Sequence, residues 1–432
     1  MTQKQFAQSA LVTGIVLFLA SCASQPAQRA PIKVITPETK PVVIEQPRPV
    51  VVKPAPVQTA GVYSSFDAWR SDFINRAIAK GANASTINSM MAGASLNERV
   101  IDLDRSQAEF TKMPWEYVEG AVSSSRVSQG KSKLNDNFSV LSRAENLYGT
   151  PKEITTAIWG MESSFGAASG SMDLINALSS LAYDGRRRDF AENQLLAMAQ
   201  MIERGDVYQS QLKGSWAGGM GHTQFIPGTW ITEGVDGNDD GHKDPWNAAD
   251  ALSSTASYLG NAGWVRGLAP FYEVRLPSGF DYNLLNGGKL SLDAWKRAGL
   301  SAVGGESFGG DQLAELWLPA GKNGPALLLT KNFEVIRVYN NSSSYALGVA
   351  LLAKRIGGGS GLVQSWPRDE QPLSRTQVQS LQRKLTDMGY DTGGVDGVAG
   401  SNTRKAFAKW QAANGQIPDG FISMNSASNL LW

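Results

Sequence analysis

The sequence predicts a mainly helical protein with a small α+β insertion and a short C-terminal unit of three helices. Three observations carry this prediction. Apolar residues recur at spacings of three and four through most of residues 62–357. Strand-like alternation, broken by Gly and Pro, is confined to about residues 265–338. A Gly- and Ser-containing stretch, residues 358–372, then sets off a tail, residues 373–432, with helical stripes of its own. A length of 432 residues suits two or three domains with a sizeable core. The 40 Lys and Arg nearly balance the 39 Asp and Glu, so no electrostatic footprint for nucleic acid is present. There is no Walker loop and no dinucleotide fingerprint. The loose glycine spacing at Gly394, Gly397 and Gly400 lacks a preceding strand and is discarded.

The first 22 residues read as an export signal. Lys4 precedes an apolar run, Leu11 to Ala20, that is shorter than the roughly 20 residues a bilayer requires. The run ends in Leu19-Ala20-Ser21-Cys22, which resembles a bacterial lipobox, with Cys22 the lipidated residue. Cys22 is the only cysteine, so the mature chain is expected to have neither a free thiol nor a disulfide, which suits an oxidising periplasm. No Asp follows it directly. By resemblance to lipoprotein sorting rules, this implies an outer-membrane lipoprotein facing the periplasm. Residues 23–61 are Pro-rich and lack aromatics, so they cannot build a core. At about 3 Å per residue such a tether reaches on the order of 100 Å.

Globular pattern begins near Ser64. Phe66, Trp69, Phe73, Ile74, Ala77 and Ile78 predict a helix closed by Gly81, and Ile87 to Met91 a second. Leu134, Phe138, Leu141 and Leu147 predict one continuous helix up to Tyr148. Leu174, Leu178 and Leu181, then Leu195, Ala199 and Ile202, predict two more. In the insertion, strands are expected at Phe271 to Leu276, Glu315 to Leu318, Ala326 to Leu329 and, in part, Val335 to Tyr339, with a short helix at Leu292 to Arg297. Helical pattern returns at Tyr345 to Ile356, with Ser344 as its expected cap.

Between these elements lies the segment Thr150 to Gly166, TPKEITTAIWGMESSFG. Thr150 reads as an N-cap, Pro151 as the first helical residue, and Glu153 as the partner of a capping box. Ile154, Ala157, Ile158, Met161 and Phe165 define an apolar face, and the spacing puts Glu162 on that side near the helix C-terminus. Desolvation and the negative end of the helix dipole both disfavour its charged form. A carboxylic acid that stays protonated near neutral pH is what a general acid requires.

Two further segments carry candidate chemistry. Gly214 to Trp230, GSWAGGMGHTQFIPGTW, combines glycines that let backbone lie against a ligand with flat aromatic walls. Ser215, Gln224 and the local amides suit hydroxyl and acetamido groups. Asp236-Gly-Asn238-Asp-Asp240-Gly241 matches the start of a calcium loop, with oxygen ligands at positions one, three and five and Gly at six. His242 supplies the carbonyl at seven. Asn247 at twelve is a poor ligand, and Asp250 serves if the loop is longer than usual. Such an ion is structural and takes no part in the chemistry.

Taken in order, Glu162-Ser-Ser-Phe-Gly166, the Gly214–Pro227 segment, the acidic loop at Asp236, and Tyr339-Asn-Asn-Ser-Ser-Ser-Tyr345-Ala346 resemble the B family of membrane-bound lytic murein transglycosylases over about residues 62–357. The resemblance implies a lysozyme-like α-helical catalytic core. It implies Glu162 as the catalytic acid and Ser215, Gln224, Tyr258, Tyr339 and Asn340 in the substrate groove, with Tyr117 as a further groove candidate. It implies the metal loop Asp236, Asn238, Asp240, His242 and Asp250, and no cofactor for catalysis. His222-Thr223 departs from the family pattern, where Gln followed by a small residue or Pro is more frequent.

In the tail, Ser374 and Gln377 form a capping box, Val378, Leu381, Leu385 and Met388 a first helix face, and Thr403, Ala406, Phe407 and Trp410 a second. Ala427, Leu430 and Leu431 suggest a third. Val395-Asp396-Gly397 and Pro418-Asp419-Gly420 look like two copies of one turn. This unit resembles the three-helix peptidoglycan-binding domain of cell-wall enzymes. The expected partners are therefore peptidoglycan glycan strands, the outer membrane through Cys22, and cell-wall synthesis proteins. The expected reaction is cleavage of the β-1,4 bond between N-acetylmuramic acid and N-acetylglucosamine, without water, to a 1,6-anhydro end. A hydrolytic muramidase using Asp173 or Asp184 as a second carboxylate, and a catalytically silent wall tether, are the competing readings.

Overall fold

A computed structural model of the chain describes residues 63–106 and 112–431, all within one compact unit, Ala55–Trp432. The export signal, Cys22 and the Pro-rich tether lie outside the described residues. Among the described residues no helix is long and apolar enough to cross a membrane.

The helix Lys152–Ser163 is buried on all sides from Ile154 to Gly160. The helices Ser343–Ile356, Ala248–Asn261, Ser124–Asp136 and Phe138–Tyr148 pack directly on it. Ile158, Leu252, Phe333, Leu347 and Leu352 are among the residues of this first core. A second core gathers the helices Phe66–Ala79, Ala84–Ala92, Leu174–Asp184 and Arg188–Glu203 around Trp69, Phe73, Leu178 and Trp230. Tyr339 packs against the margins of both cores, which places it at their seam.

The insertion is a five-stranded antiparallel sheet in the order Leu290–Ser291, Leu313–Trp317, Ala326–Leu329, Phe271–Arg275, Ser301–Ala302. The short helix Leu292–Arg297 lies in its chain, and the buried Trp295 donates to the Ala314 carbonyl at 2.9 Å. The segment Val335 to Tyr339, expected to be partly strand, belongs instead to the helix Lys331–Tyr339. Thr330 caps that helix through the Asn332 amide, and Phe333, Val335 and Ile336 are all buried. The cap and the helical burial outweigh the local alternation.

Three other local expectations change. The run to Tyr148 is broken at Asn137, which ends Ser124–Asp136 and begins Phe138–Tyr148. The break turns Phe138 and Leu147 outward, at 53% and 61% exposure, while Leu134 and Leu141 stay in the core. Thr150 is no cap. Its buried hydroxyl donates to the Ala256 carbonyl at 3.0 Å, and the helix starts at Lys152 after Pro151. Ser342, not Ser344, caps Ser343–Ile356 by accepting from the Tyr345 amide.

In the C-terminal unit the Ser374–Gln377 capping box opens the helix Arg375–Asp387. It packs with Ser401–Ala413 and the short Ser428–Leu431 around Leu381, Leu385, Phe407 and Trp410. The two repeated turns are held alike. Gln382 Nε2 donates to Asp396 and its Oε1 accepts from Gly397; Gln411 makes the same pair with Asp419 and Gly420.

Asn332 is fully buried and ties the helix that carries Tyr339 to the loop before the sheet. It accepts from the Val265 amide and donates to the Val265 and Leu268 carbonyls. Asn332→Ala leaves those groups dry and unpaired. It should lower stability by about 2–4 kcal/mol in urea unfolding.

Candidate active site

Lys152–Ser163 ends in three consecutive left-handed residues, Ser164, Phe165 and Gly166, at φ 49°, 61° and 88°. This turn stops the helix one residue after Glu162 and leaves its side chain part-buried at the seam. Two glycines make the close packing here feasible. A Cβ on Gly166 would sit 2.5 Å from the His222 imidazole, and one on Gly170 would sit 2.2 Å from the Gly214 carbonyl carbon. Gln224, itself at φ 54°, donates through Nε2 to the carbonyls of Ser169 and Gly221, both at 2.9 Å. The stretch after Glu162 and the Gly-rich segment are thus stitched together.

Burial pushes the Glu162 carboxyl up from the usual 4.5 to about 7. A hydrogen bond from the Tyr345 hydroxyl to Oε1, at 2.5 Å, pulls the other way. No neighbouring carboxylate contributes to the shift among the described residues. Tyr117, Tyr339 and Tyr345 all have their hydroxyl pKa raised, first by burial and then by the Glu162 charge, so the three phenols and the acid share one environment. Tyr339 donates to the Thr223 carbonyl at 2.5 Å. The Phe225, Tyr258 and Tyr339 rings meet edge to face at centroid distances of 5.3–5.8 Å.

The structure therefore brings Tyr117 and Tyr339 to Glu162, and Tyr258 to Tyr339. Ser215 is turned inward: its Oγ accepts from the Gly219 amide at 2.9 Å and closes the Gly-rich turn. Gln224 spends its amide on backbone carbonyls and keeps Oε1 beside Gly219. Asn340 is exposed at the end of the Tyr339 helix. Tyr345 lies within a motif legible in the sequence, yet nothing in the sequence gave it a role. Its place in the first turn of an apolar helix concealed a phenol that reaches a residue 183 positions away.

Asp173 and Asp184, the candidates for a second carboxylate, are engaged elsewhere. Asp173 caps Leu174–Asp184 by accepting from the Asn176 amide, and Asp184 pairs with Arg105.

In the acidic loop the oxygens rest on main-chain amides. Asp236 accepts from Asp240 and Gly241, Asn238 from Asp240, and Asp240 from His242. The buried Asp250 accepts from Gly237 and Asp244 at 2.8 and 2.9 Å. Burial raises its pKa, and the charges of Asp236 and Asp240 add to the rise. Among the described residues no three His, Cys, Asp or Glu side chains converge as a ready metal cluster. The donors are nonetheless all hard oxygens with spare lone pairs, which fits calcium chemistry.

A helical core that holds a part-buried carboxyl with a raised pKa beside a tyrosine-walled seam suits an enzyme that acts on glycans. The transglycosylase SLT domain family matches residues 65–354 and the putative peptidoglycan-binding domain family matches residues 374–425. The chain belongs to the transglycosylase SLT domain family and is a peptidoglycan lytic transglycosylase with a mainly helical, lysozyme-like core. It is 29% identical over 301 residues to membrane-bound lytic murein transglycosylase B of Escherichia coli, covering 66% of this chain and 81% of that protein. It is also similar to SltB3 of Pseudomonas aeruginosa, solved in complex with NAG-anhNAM-pentapeptide. There the identity is 43%, the TM-score 0.82, and the coverage 85% of this chain and 100% of that one. Escherichia coli lytic transglycosylase Slt35, solved in complex with calcium, matches at 27% identity and TM-score 0.59, over 67% of this chain and 92% of that one.

Tyr345→Phe removes the one bond that steadies the ionised acid. With Glu162 as the acid, the high-pH limb of kcat/KM should move to higher pH than in the unsubstituted enzyme. A carboxyl whose folded-state pKa is raised from 4.5 to about 7 costs stability progressively as pH rises between those two values. Glu162→Gln should therefore melt above the unsubstituted protein at pH 8, with the gap closing as pH falls below 5.

Proposed function

We propose that Glu162 performs both proton transfers of the lytic reaction. Protonated Glu162 donates to the glycosidic oxygen as the bond from C1 of N-acetylmuramic acid to that oxygen breaks. Positive charge develops at C1. The Glu162 carboxylate then takes the proton of the C6 hydroxyl while O6 bonds to C1. The product is a 1,6-anhydro end, the acid is restored, and no water is consumed. One observation carries this reading: burial raises the pKa of the acid, and among the described residues no carboxylate contributes to that rise. Hydrolysis by either stereochemical route places a second carboxylate about 5–10 Å from the first. An internal hydroxyl nucleophile needs none.

Tyr117, Tyr258 and Tyr339 supply aromatic walls for the sugar rings, and Tyr339 and Asn340 mark the groove edge. Ser215 shapes the Gly-rich wall through the Gly219 amide, and Gln224 offers its Oε1. The similarity to SltB3, solved with NAG-anhNAM-pentapeptide bound, supports this substrate class for the present chain. The loop of Asp236, Asn238, Asp240, the His242 carbonyl and Asp250 takes a structural calcium ion; the calcium complex of Slt35 supports it. Cys22 carries the lipid that holds the enzyme at the outer membrane, a reading supported by the membrane-bound relative. The C-terminal unit grips peptidoglycan. Cell-wall synthesis proteins are the expected company at that location.

Mass spectrometry of digested cell-wall sacs tests the chemistry. Anhydro ends are expected, and Glu162→Gln should lower their release by roughly a thousandfold. Reducing ends instead would establish hydrolysis, and a fully active Gln variant would remove Glu162 from its role. Calcium should raise the melting temperature, and Asp240→Ala should abolish the rise. A flat response in the unsubstituted protein would refute the metal site.

A further inference from the structure

The catalytic scheme gives His222 no task. Its contacts are nonetheless directed at the end of the catalytic helix. The Trp159 indole donates from Nε1 to His222 Nδ1 at 3.1 Å. The two rings meet edge to face at 5.5 Å. The Ser163 hydroxyl donates to the His222 carbonyl at 2.5 Å and accepts from the Gly166 amide at 2.8 Å. The His222 amide in turn donates to the Pro245 carbonyl at 3.0 Å, which anchors the residue from the opposite side. Gly166 packs directly on the imidazole. Trp159 and Ser163 flank Glu162 on its own helix, three residues before it and one after. Ser164 to Gly166 form the left-handed turn that ends that helix.

We propose that His222 is a positioning residue for the proposed acid: its unprotonated Nδ1 and its carbonyl latch Trp159 and Ser163 and so fix the turn that aims the Glu162 carboxyl. The inference rests on the assignment of Glu162 as the acid. An imidazole nitrogen that accepts from an indole N–H carries no proton of its own, while the Trp246 main chain favours the protonated ring. Two charged groups face the ring. Asp244 favours its protonation and Lys133, from Ser124–Asp136, opposes it, while burial is the largest influence and holds its pKa below the usual value. Protonation at Nδ1 would eject the indole and release the helix end. The latch therefore opens as pH falls, which gives the activity profile an acid limb separate from the basic limb set by Glu162.

The test is a pH series of kcat and KM on a soluble muropeptide tetrasaccharide, with the full chain. Asn places an uncharged oxygen near the Nδ1 position and has no proton to gain. His222→Asn should keep kcat within about threefold and lose the acid limb. His222→Leu fills the space without accepting, and should lower kcat roughly tenfold or more with KM changed less than about twofold. Trp159→Phe removes the donor and part of the ring, so the acid limb should move to higher pH. An unchanged kcat in His222→Leu, equal loss in the Asn and Leu variants, or an acid limb unmoved by Trp159→Phe each overturns the latch. Glu162→Gln separates the two levels. If that variant is inactive while any of those results holds, the latch alone fails; if it is active, the acid assignment itself fails.

Discussion

An acid group largely withdrawn from water, with no charge among the described residues shifting its pKa, is the constraint on which the rest of this structure turns. Moving the Glu162 pKa from 4.5 to about 7 is worth on the order of 3 kcal/mol between its two protonation states. The fold carries that strain because the ionised form is disfavoured by burial, not by repulsion. The distinction matters for the chemistry. Repulsion would need a second carboxylate, and a second carboxylate can hold a water. Burial alone yields a proton donor with no built-in base for an external nucleophile. In the proposed mechanism the same burial makes the new carboxylate the base that takes the proton of the C6 hydroxyl.

Holding such a group requires a close-fitting surround made from soft parts. Three phenols share its environment, and one of them, Tyr345, touches it. That bond favours the charged form and opposes the effect of burial. Behind the acid the fold relies on backbone contacts that side chains would obstruct. Gly166 lies against His222, Gly170 against the Gly214 carbonyl, and the Gln224 amide bridges the two segments. The Gly-rich segment thus buttresses the helix end. Ser215 illustrates the same point, since its hydroxyl is spent on closing the turn.

Much of this was legible in the sequence because it depends on periodicity and caps. The spacing from Ile154 to Phe165 put Glu162 on a buried face. Ala326–Leu329 and Leu292–Arg297 fall at their expected limits. What the sequence concealed are contacts made at long range or decided by a competing partner. Thr150 reads as a cap but its hydroxyl is claimed by Ala256, 106 residues away. Val335 to Tyr339 alternates like a strand, but Thr330 nucleates a helix and core burial keeps it. Tyr345 had no assigned role within its motif, and only the fold reveals that its hydroxyl ends on the acid. The carboxylates of the acidic loop show the opposite case. Their spacing was readable, yet their oxygens settle on amides of the same loop, which spacing alone does not specify.

The stretch joining the two modules behaves as a strap. The buried Glu273 carboxylate accepts from the Val363 and Gln364 amides, and Arg368 pairs with Glu119. Beyond it the C-terminal unit uses one of its twin turns against the catalytic body: Asp419 accepts from the Lys322 amide at 3.0 Å, while Phe421 packs with Met113, Trp115 and Ala320. The equivalent turn at Asp396 keeps Val395 and Val398 exposed. Duplicating the turn therefore separates docking from whatever the free copy meets. Trp115 and Tyr117 share one short helix, Pro114–Ala121, so the residue that receives the C-terminal unit lies two positions from a phenol in the environment of Glu162.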